Sequence, residues 1–297
     1  MVEIIEVGPR DGFQPIGPFI PTSEKIALIE EAFAAGLTRI EVTAFVSPQA
    51  IPQLADAAGV LQHALGMPGL EARVLVPNAR GAERALAEGA RHLVYVISVS
   101  EAHNRSNVRR SVDESIGAYA DVVAGLAPDV AVRLNLATAF DCPFDGTVQE
   151  DLVVRRLESI LAARTNVEVG LCDTTGRANP RAVEGLVHRC LEQFGGETRW
   201  AFHGHDTYGM GLANAYAAYS AGITAFDAAF GGLGGCPFAP GATGNTATED
   251  LVYMFDRMGL ETGVDLSALT SAALRAAGLP GAAAGGRVRT ALKARCA

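Results

Sequence analysis

The sequence has no C-x-x-C pair, no uninterrupted apolar run near the ~20 residues that cross a bilayer, and no excess of basic charge. Each absence excludes something. The five cysteines, Cys142, Cys172, Cys190, Cys236 and Cys296, are odd in number and widely spaced. Neither a zinc knuckle nor a disulfide framework is expected from them, and a reducing cytoplasm fits best. A net charge of -9 argues against a nucleic-acid footprint and an anionic membrane surface, while leaving room for a small anionic ligand held by a few arginines. No basic n-region or cleavage site follows Met1, so no signal peptide is expected. No G-x-G-x-x-G follows the first apolar run, which weakens the case for a doubly wound open sheet.

What is present is a regular alternation. About half of the 297 residues are apolar, enough for a sizeable core. Short β-branched runs occur at Glu3–Val7, Arg39–Phe45, Ala72–Val76, Leu93–Ser98, Ala131–Ala137, Val167–Leu171, Trp200–His205 and Ala225–Phe230. Amphipathic stretches lie between them: Ser23–Ala35, Leu54–Leu65, Gly81–Glu88, Val112–Ala124, Gln149–Ala163, Pro180–Gln193, Gly211–Ala221 and Thr246–Arg257. Eight strand-then-helix units in about 250 residues predict an α/β fold, a closed (β/α)8 TIM barrel. The barrel is expected over residues 1–264. Residues 265–297 add a short C-terminal helical extension, Leu266–Ala277, and an Ala/Gly-rich segment, Gly281–Gly286, that reads as a flexible tail on or next to the barrel.

Polar and titratable residues collect at one end of the strands, where such barrels carry their chemistry. The first strand ends in Arg10-Asp11 and the second contains Glu41. The fourth runs into Ser100-Glu101-Ala102-His103-Asn104-Arg105, the fifth carries Arg133 and Asn135, and the sixth ends at Asp173. The seventh ends in FHGHD, and the eighth is followed by GGLGGCPFAPGATGN. An isolated Arg-Asp at a turn reads most simply as a solvated ion pair. Recurrence of such strand ends points instead to a site.

His203 and His205, spaced i, i+2 on a strand, share one face and can bind one metal together. Asp11 and Asn245 are available partners. Two imidazoles, a carboxylate and an amide oxygen suit Mg²⁺ or Mn²⁺ better than tetrahedral zinc, which stays the alternative. The loop 231–245 is rich in glycine, which permits close approach to a ligand and hinge-like motion. Its Cys236 is a candidate for proton transfer, with a buried packing role as the plain alternative.

EVGPRDGFQ, FVSP, FHGHDTYG and GLGGCPFAPGATGN followed by ATEDLVYM resemble the 3-hydroxy-3-methylglutaryl-CoA (HMG-CoA) lyases. The similarity runs from the first strand to about Val264. It implies metal ligands at Asp11, His203, His205 and Asn245, and an Mg²⁺ or Mn²⁺ cofactor. It assigns Arg10 to the thioester oxygen, Cys236 to proton transfer, and Glu41 and Asp173 to the surrounding network. Gln14, Asn135 and Gly235 are expected on the substrate side. The implied reaction is carbon–carbon cleavage of a 3-hydroxyacyl-CoA to acetyl-CoA and a keto acid, and the implied assembly is a homodimer.

One stretch departs from the family. After R-D-G-x-Q the lyases continue with Asn-Glu-Lys, where this chain has Pro15-Ile16-Gly17-Pro18. The reaction type therefore carries over more directly than the substrate. Citramalyl-CoA or a longer-branched hydroxyglutaryl-CoA remains open, as does the reverse reaction of a Claisen-type carboligating synthase. A non-catalytic barrel binding acyl-CoA or metal is the remote alternative. Cys296 reads as an inert tail thiol, with an intersubunit disulfide as the alternative that the family suggests.

Overall fold

A computed structural model describes residues 1–235 and 244–293; Cys236 and Cys296 lie outside the described residues. Eight strands form one closed, wholly parallel barrel. They are β1 (Glu3–Glu6), β2 (Arg39–Ala44), β3 (Glu71–Leu75), β4 (His92–Ser98), β5 (Ala131–Ala137), β6 (Glu168–Asp173), β7 (Arg199–Gly204) and β8 (Ala225–Ala228). Each coincides with an apolar run in the sequence, because a parallel strand covered on its outer face by helices is buried on both sides. β1 closes the ring between β8 and β2.

Eleven helices are described: α1 (Thr22–Ala34), α2 (Ala57–Leu65), α3 (Ala79–Ala87), α4 (Glu101–Val108), α5 (Val112–Ala124), α6 (Glu150–Leu161), α7 (Pro180–Phe194), α8 (Gly211–Ser220), α9 (Thr248–Arg257), α10 (Leu266–Ala277) and α11 (Val288–Lys293). Their starts follow local chemistry. Ser111 and Glu114 form a reciprocal capping box on α5, and Asn179 caps α7 ahead of Pro180, whose missing N–H costs nothing in a first turn. α4 and α11 were not legible as helices. α4 carries few apolar residues and is held by Ser100, whose hydroxyl accepts from the His103 N–H at 3.1 Å.

The lower lumen holds ions where branched aliphatic layers are usual. Glu168 on β6 accepts from Arg73 at 2.6 Å, from Arg133 at 2.9 Å, and from Arg39. Arg133 reaches on to Asp227 of β8 at 2.6 Å. Gly170 makes this possible: a Cβ there would lie 2.6 Å from Arg133 Nη2 and 2.5 Å from Asn135 Oδ1. Unpaired, any of these buried charges would be strongly destabilising; paired, they fix the lumen's contents.

The segment read as a flexible tail makes hydrogen bonds with the barrel. The Gly285 N–H donates to the Gly231 carbonyl at 2.8 Å, and the Arg287 and Val288 N–H groups donate to Asp250 at 2.9 and 2.8 Å. It thereby passes beside the first residues of the glycine-rich loop. Among the described residues no helix is long and apolar enough to cross a membrane.

Candidate metal centre and active site

β1 ends not in an ordinary turn but in one wide π-helical turn, Gly8–Gly12. The Gly12 N–H donates to the Val7 carbonyl at 3.4 Å and the Phe13 N–H to the Gly8 carbonyl at 2.9 Å, both i to i+5 bonds. Such single turns recur at functional sites. On a strand, neighbours diverge; this turn brings Arg10 and Asp11 together, with Arg10 Nη1 donating to Asp11 Oδ1 at 2.6 Å. Arg10 Nε donates to Glu41 of β2, so two carboxylates fix the guanidinium plane. Burial opposes the charge on Arg10, but Glu41 and Asp11 outweigh it and raise its pKa.

Asp11, His203 and His205 converge, each offering one ligand atom within 4.8 Å of the others. Their origins explain why. The histidines stand two residues apart at the top of β7, and Asp11 comes from the turn beyond β1, with only β8 between those strands. Asn245 joins from the other side of the glycine loop: its Nδ2 donates to Asp11 Oδ2 at 2.8 Å and to the Leu233 carbonyl at 3.0 Å.

Two observations test whether these residues fit a cation. His205 Nδ1 and Asn245 Oδ1 are buried acceptors with no hydrogen-bond partner, a costly state that a bound metal relieves. Burial works against the Asp11 carboxylate, yet Arg10 first and then His203 hold its pKa well below the usual carboxylate range. Burial, with His203 close by, lowers His205 to about 4, so its ring is neutral and able to donate a lone pair at working pH. The donor set of imidazoles, carboxylate and amide oxygen, without thiolate, fits a hard divalent ion.

The HMGL-like family model matches residues 1–274. The chain belongs to the HMGL-like family. A hydroxymethylglutaryl-CoA lyase of Bacillus subtilis is 42% identical over 273 residues, 92% of this chain and 91% of that protein. A 3-hydroxy-3-isohexenylglutaryl-CoA/hydroxy-methylglutaryl-CoA lyase of Pseudomonas aeruginosa is 39% identical over 99% of this chain and 98% of its own. Among solved structures, an HMG-CoA lyase of Acinetobacter baumannii in complex with coenzyme A and 3-methylmalate matches with a TM-score of 0.91 at 39% identity, covering 98% of this chain and 95% of that one.

Other expected residues of this family member fall in different places. Asn135 is buried in the lumen, its Oδ1 accepting from Arg133 Nε at 2.7 Å. Gln14 is exposed on the turn after Arg10, and Gly235 stands near Pro15, where a Cβ would be 3.7 Å away. Asp173 does not join the metal ligands. Its carboxylate accepts from the Ala178 N–H at 3.2 Å and from Asn214 Nδ2 at 3.4 Å, bracing the loop before α7. Its carbonyl accepts from the His205 N–H at 3.3 Å, so it bears on the site through the backbone. Burial pushes the Asp173 carboxyl up to about 6. The divergent Pro15–Pro18 stretch is clamped by Gln53, whose Nε2 donates to the carbonyls of Ile16 at 2.9 Å and Pro18 at 2.8 Å.

Two buried carboxylates behind the site escaped sequence reading, Glu6 and Glu249. Glu6 points outward from β1 and accepts from the N–H groups of Gly8 at 2.7 Å and Phe230 at 3.0 Å and from the Thr248 hydroxyl at 2.7 Å. It thus ties the Arg10 turn to the end of β8. Glu249 accepts from the Gly231 N–H at 2.9 Å. Burial raises Glu6 from 4.5 to about 8 and Glu249 from 4.5 to about 7. The folded state therefore binds more protons than the unfolded chain above pH 4.5, and stability falls as pH rises until about 8. Glu6→Gln keeps the shape, accepts the same two N–H groups and donates to Thr248 without an ionisable proton. The stability of the parent, and its thermal midpoint with it, is expected to drop between about pH 5 and about pH 8, with Glu6 contributing up to about 1.4 kcal/mol per pH unit between its unfolded and folded pKa values. In Glu6→Gln that slope flattens. Parallel melting curves for the two proteins across this range would refute the assignment.

Proposed function

We propose that this protein is a divalent-metal-dependent lyase that cleaves 3-hydroxy-3-methylglutaryl-CoA to acetyl-CoA and acetoacetate, using Mg²⁺ or Mn²⁺. The observation that carries the reading is the convergence of Asp11, His203 and His205 within 4.8 Å, with Asn245 bonded to Asp11, at the C-terminal mouth of the barrel. Relatives near 40% identity whose names state this cleavage support the substrate.

Cleavage removes a proton from the substrate's tertiary hydroxyl, breaks the C2–C3 bond, leaves a ketone on C3 and an enolate on the thioester fragment, and ends when C2 takes a proton. A divalent ion held by Asp11, His203, His205 and Asn245 would acidify that hydroxyl and orient the substrate. Arg10 stabilises the charge that develops on the thioester oxygen. Its Nε and Nη1 are engaged by Glu41 and Asp11, which leaves Nη2 to face that oxygen in a fixed plane, permanently charged. Cys236 lies in the glycine loop between Leu233 and Asn245, close in sequence to a residue bonded to Asp11, and is the group assigned to protonate C2.

Metal removal tests the reading. After exhaustive chelation and gel filtration the protein is expected to lose cleavage of HMG-CoA and to regain it on addition of Mn²⁺ or Mg²⁺. Full activity after chelation, with metal content verified near zero, would end the proposal.

A further inference from the structure

His203 is backed by an acid that its neighbours leave half used. The register sets Asp227 of β8 directly beside His203 of β7, and Asp227 Oδ2 lies 3.1 Å from His203 Nδ1. The same oxygen accepts from Arg133 Nη2 at 2.6 Å, while Asp227 Oδ1 is buried with no hydrogen-bond partner. If Asp227 served only to neutralise Arg133, the favourable arrangement would be a two-point fork using both oxygens. Instead one oxygen is shared between a guanidinium and an imidazole, and the other is left unbonded at a cost in stability. An arrangement that sacrifices a buried hydrogen bond to keep one oxygen on a histidine is one built for that histidine.

We infer that Asp227 is a positioning residue for the metal site, holding the His203 ring with its Nδ1–H toward β8 and its Nε2 lone pair toward Asp11 and His205, and that Arg133 fixes Asp227 for this task. The inference rests on the metal reading above and adds to it which nitrogen binds and what holds it there. Its parts are all rigid. Arg133 is gripped at three points, by Asp227, by Glu168 at 2.9 Å and by Asn135 at 2.7 Å, and Gly170 leaves the space its guanidinium occupies. His203 and Asp227 both sit on strands, so neither depends on a loop to meet the other. An imidazole can present either nitrogen; the partner of one decides the other, and carboxylate backing also makes the ligand a stronger donor. The unbonded buried nitrogen of His205 is its Nδ1, whereas the Nδ1 of His203 is taken by Asp227, so the two histidines are unequal ligands.

The test is Mn²⁺ binding to the purified full chain, followed by the electron paramagnetic resonance of free ion, for the parent, Asp227→Asn and Arg73→Met. Asp227→Asn is expected to weaken Mn²⁺ about 10- to 100-fold. Arg73→Met breaks ion pairs to Glu168 and Glu71 in the same lumen without touching Asp227. It is expected to lower the melting temperature and leave Mn²⁺ affinity within about twofold, which separates positioning from general lumen damage. A second measurement needs no variant: in the Co²⁺-loaded parent with ¹⁵N-labelled histidine, His203 should bind through Nε2 and show a shifted Nδ1–H signal protected from exchange. Failure of the parent to bind Mn²⁺ would overturn the metal reading itself. Parent binding with Asp227→Asn binding equally well, or His203 coordinated through Nδ1, would overturn this inference alone.

Discussion

Arg10→Gln is expected to fold, to bind Mn²⁺, and to lose about 10²- to 10³-fold in kcat, the range for removing one preorganised donor from a developing oxyanion. The fold survives because Glu41, left without its cation, already has a pKa raised by burial and takes a proton in place of the ion pair. Metal binding survives because a divalent cation beside Asp11 itself favours the ionised carboxylate once Arg10 is gone, and the Asn245 bond still holds Asp11 in place. The damage falls on kcat because a permanent charge beside the thioester oxygen matters most when that oxygen becomes an enolate. Arg10→Lys restores charge but cannot bond Glu41 and Asp11 while reaching the substrate, so it recovers only part of the rate. Steady-state kinetics with Mn²⁺ titration on each variant measures this. A kcat within a few-fold of the parent in Arg10→Gln would remove Arg10 from the chemistry.

Asp11→Asn carries the second large effect, and it acts on the metal. Among the described residues Asp11 is the only carboxylate in the ligand cluster, and Arg10 beside it keeps it ionised against the pull of burial. The amide has nearly the same shape but no charge, so the site would be left with neutral donors and an adjacent guanidinium. Metal ions supply several kcal/mol of transition-state stabilisation in such reactions, which at about 1.4 kcal/mol per tenfold corresponds to ~10³ in rate. Asp11→Asn is expected to lose measurable Mn²⁺ binding at concentrations that saturate the parent, and to lose about that much activity. Parent-like binding would mean the ion is held elsewhere.

The parts of the site that could be read from sequence are those at strand ends. His203, His205, Asp11 and Asn245 stand out because polar residues interrupt apolar or glycine-rich stretches where a barrel opens. Asp227 was hidden inside Ala225–Phe230, a run that otherwise reads as core, and its meaning depends on lying beside His203 across two strands, a register no local pattern states. Glu6 was hidden the same way in the first strand. Asp173 was visible in the sequence, but the partners of its carboxylate were not. It ends β6 as expected, but strand alternation points its neighbour Cys172 along with His203 and turns Asp173 outward, to the backbone of the loop before α7. The π-helical turn at Gly8–Gly12 could not be read either, because five residues carry no periodicity; it is the device that puts two adjacent side chains on one site.

The fold was legible because eight buried strands and their helices repeat one pattern. The elements missed are those in which packing, not propensity, decides. α4 is polar, the two-residue strands Asp141–Cys142 and Gly146–Thr147 are too short to alternate, and residues 279–288 are held by the backbone of Gly231 and the carboxylate of Asp250.

The most direct test supplies the metal-loaded protein with HMG-CoA, citramalyl-CoA and a longer-branched 3-hydroxyglutaryl-CoA, and follows acetyl-CoA and the keto product together. HMG-CoA is expected to be consumed, with acetyl-CoA and acetoacetate appearing in equal amounts. Metal-loaded, folded protein that leaves HMG-CoA intact, whether or not it turns over another thioester, would contradict the proposed function.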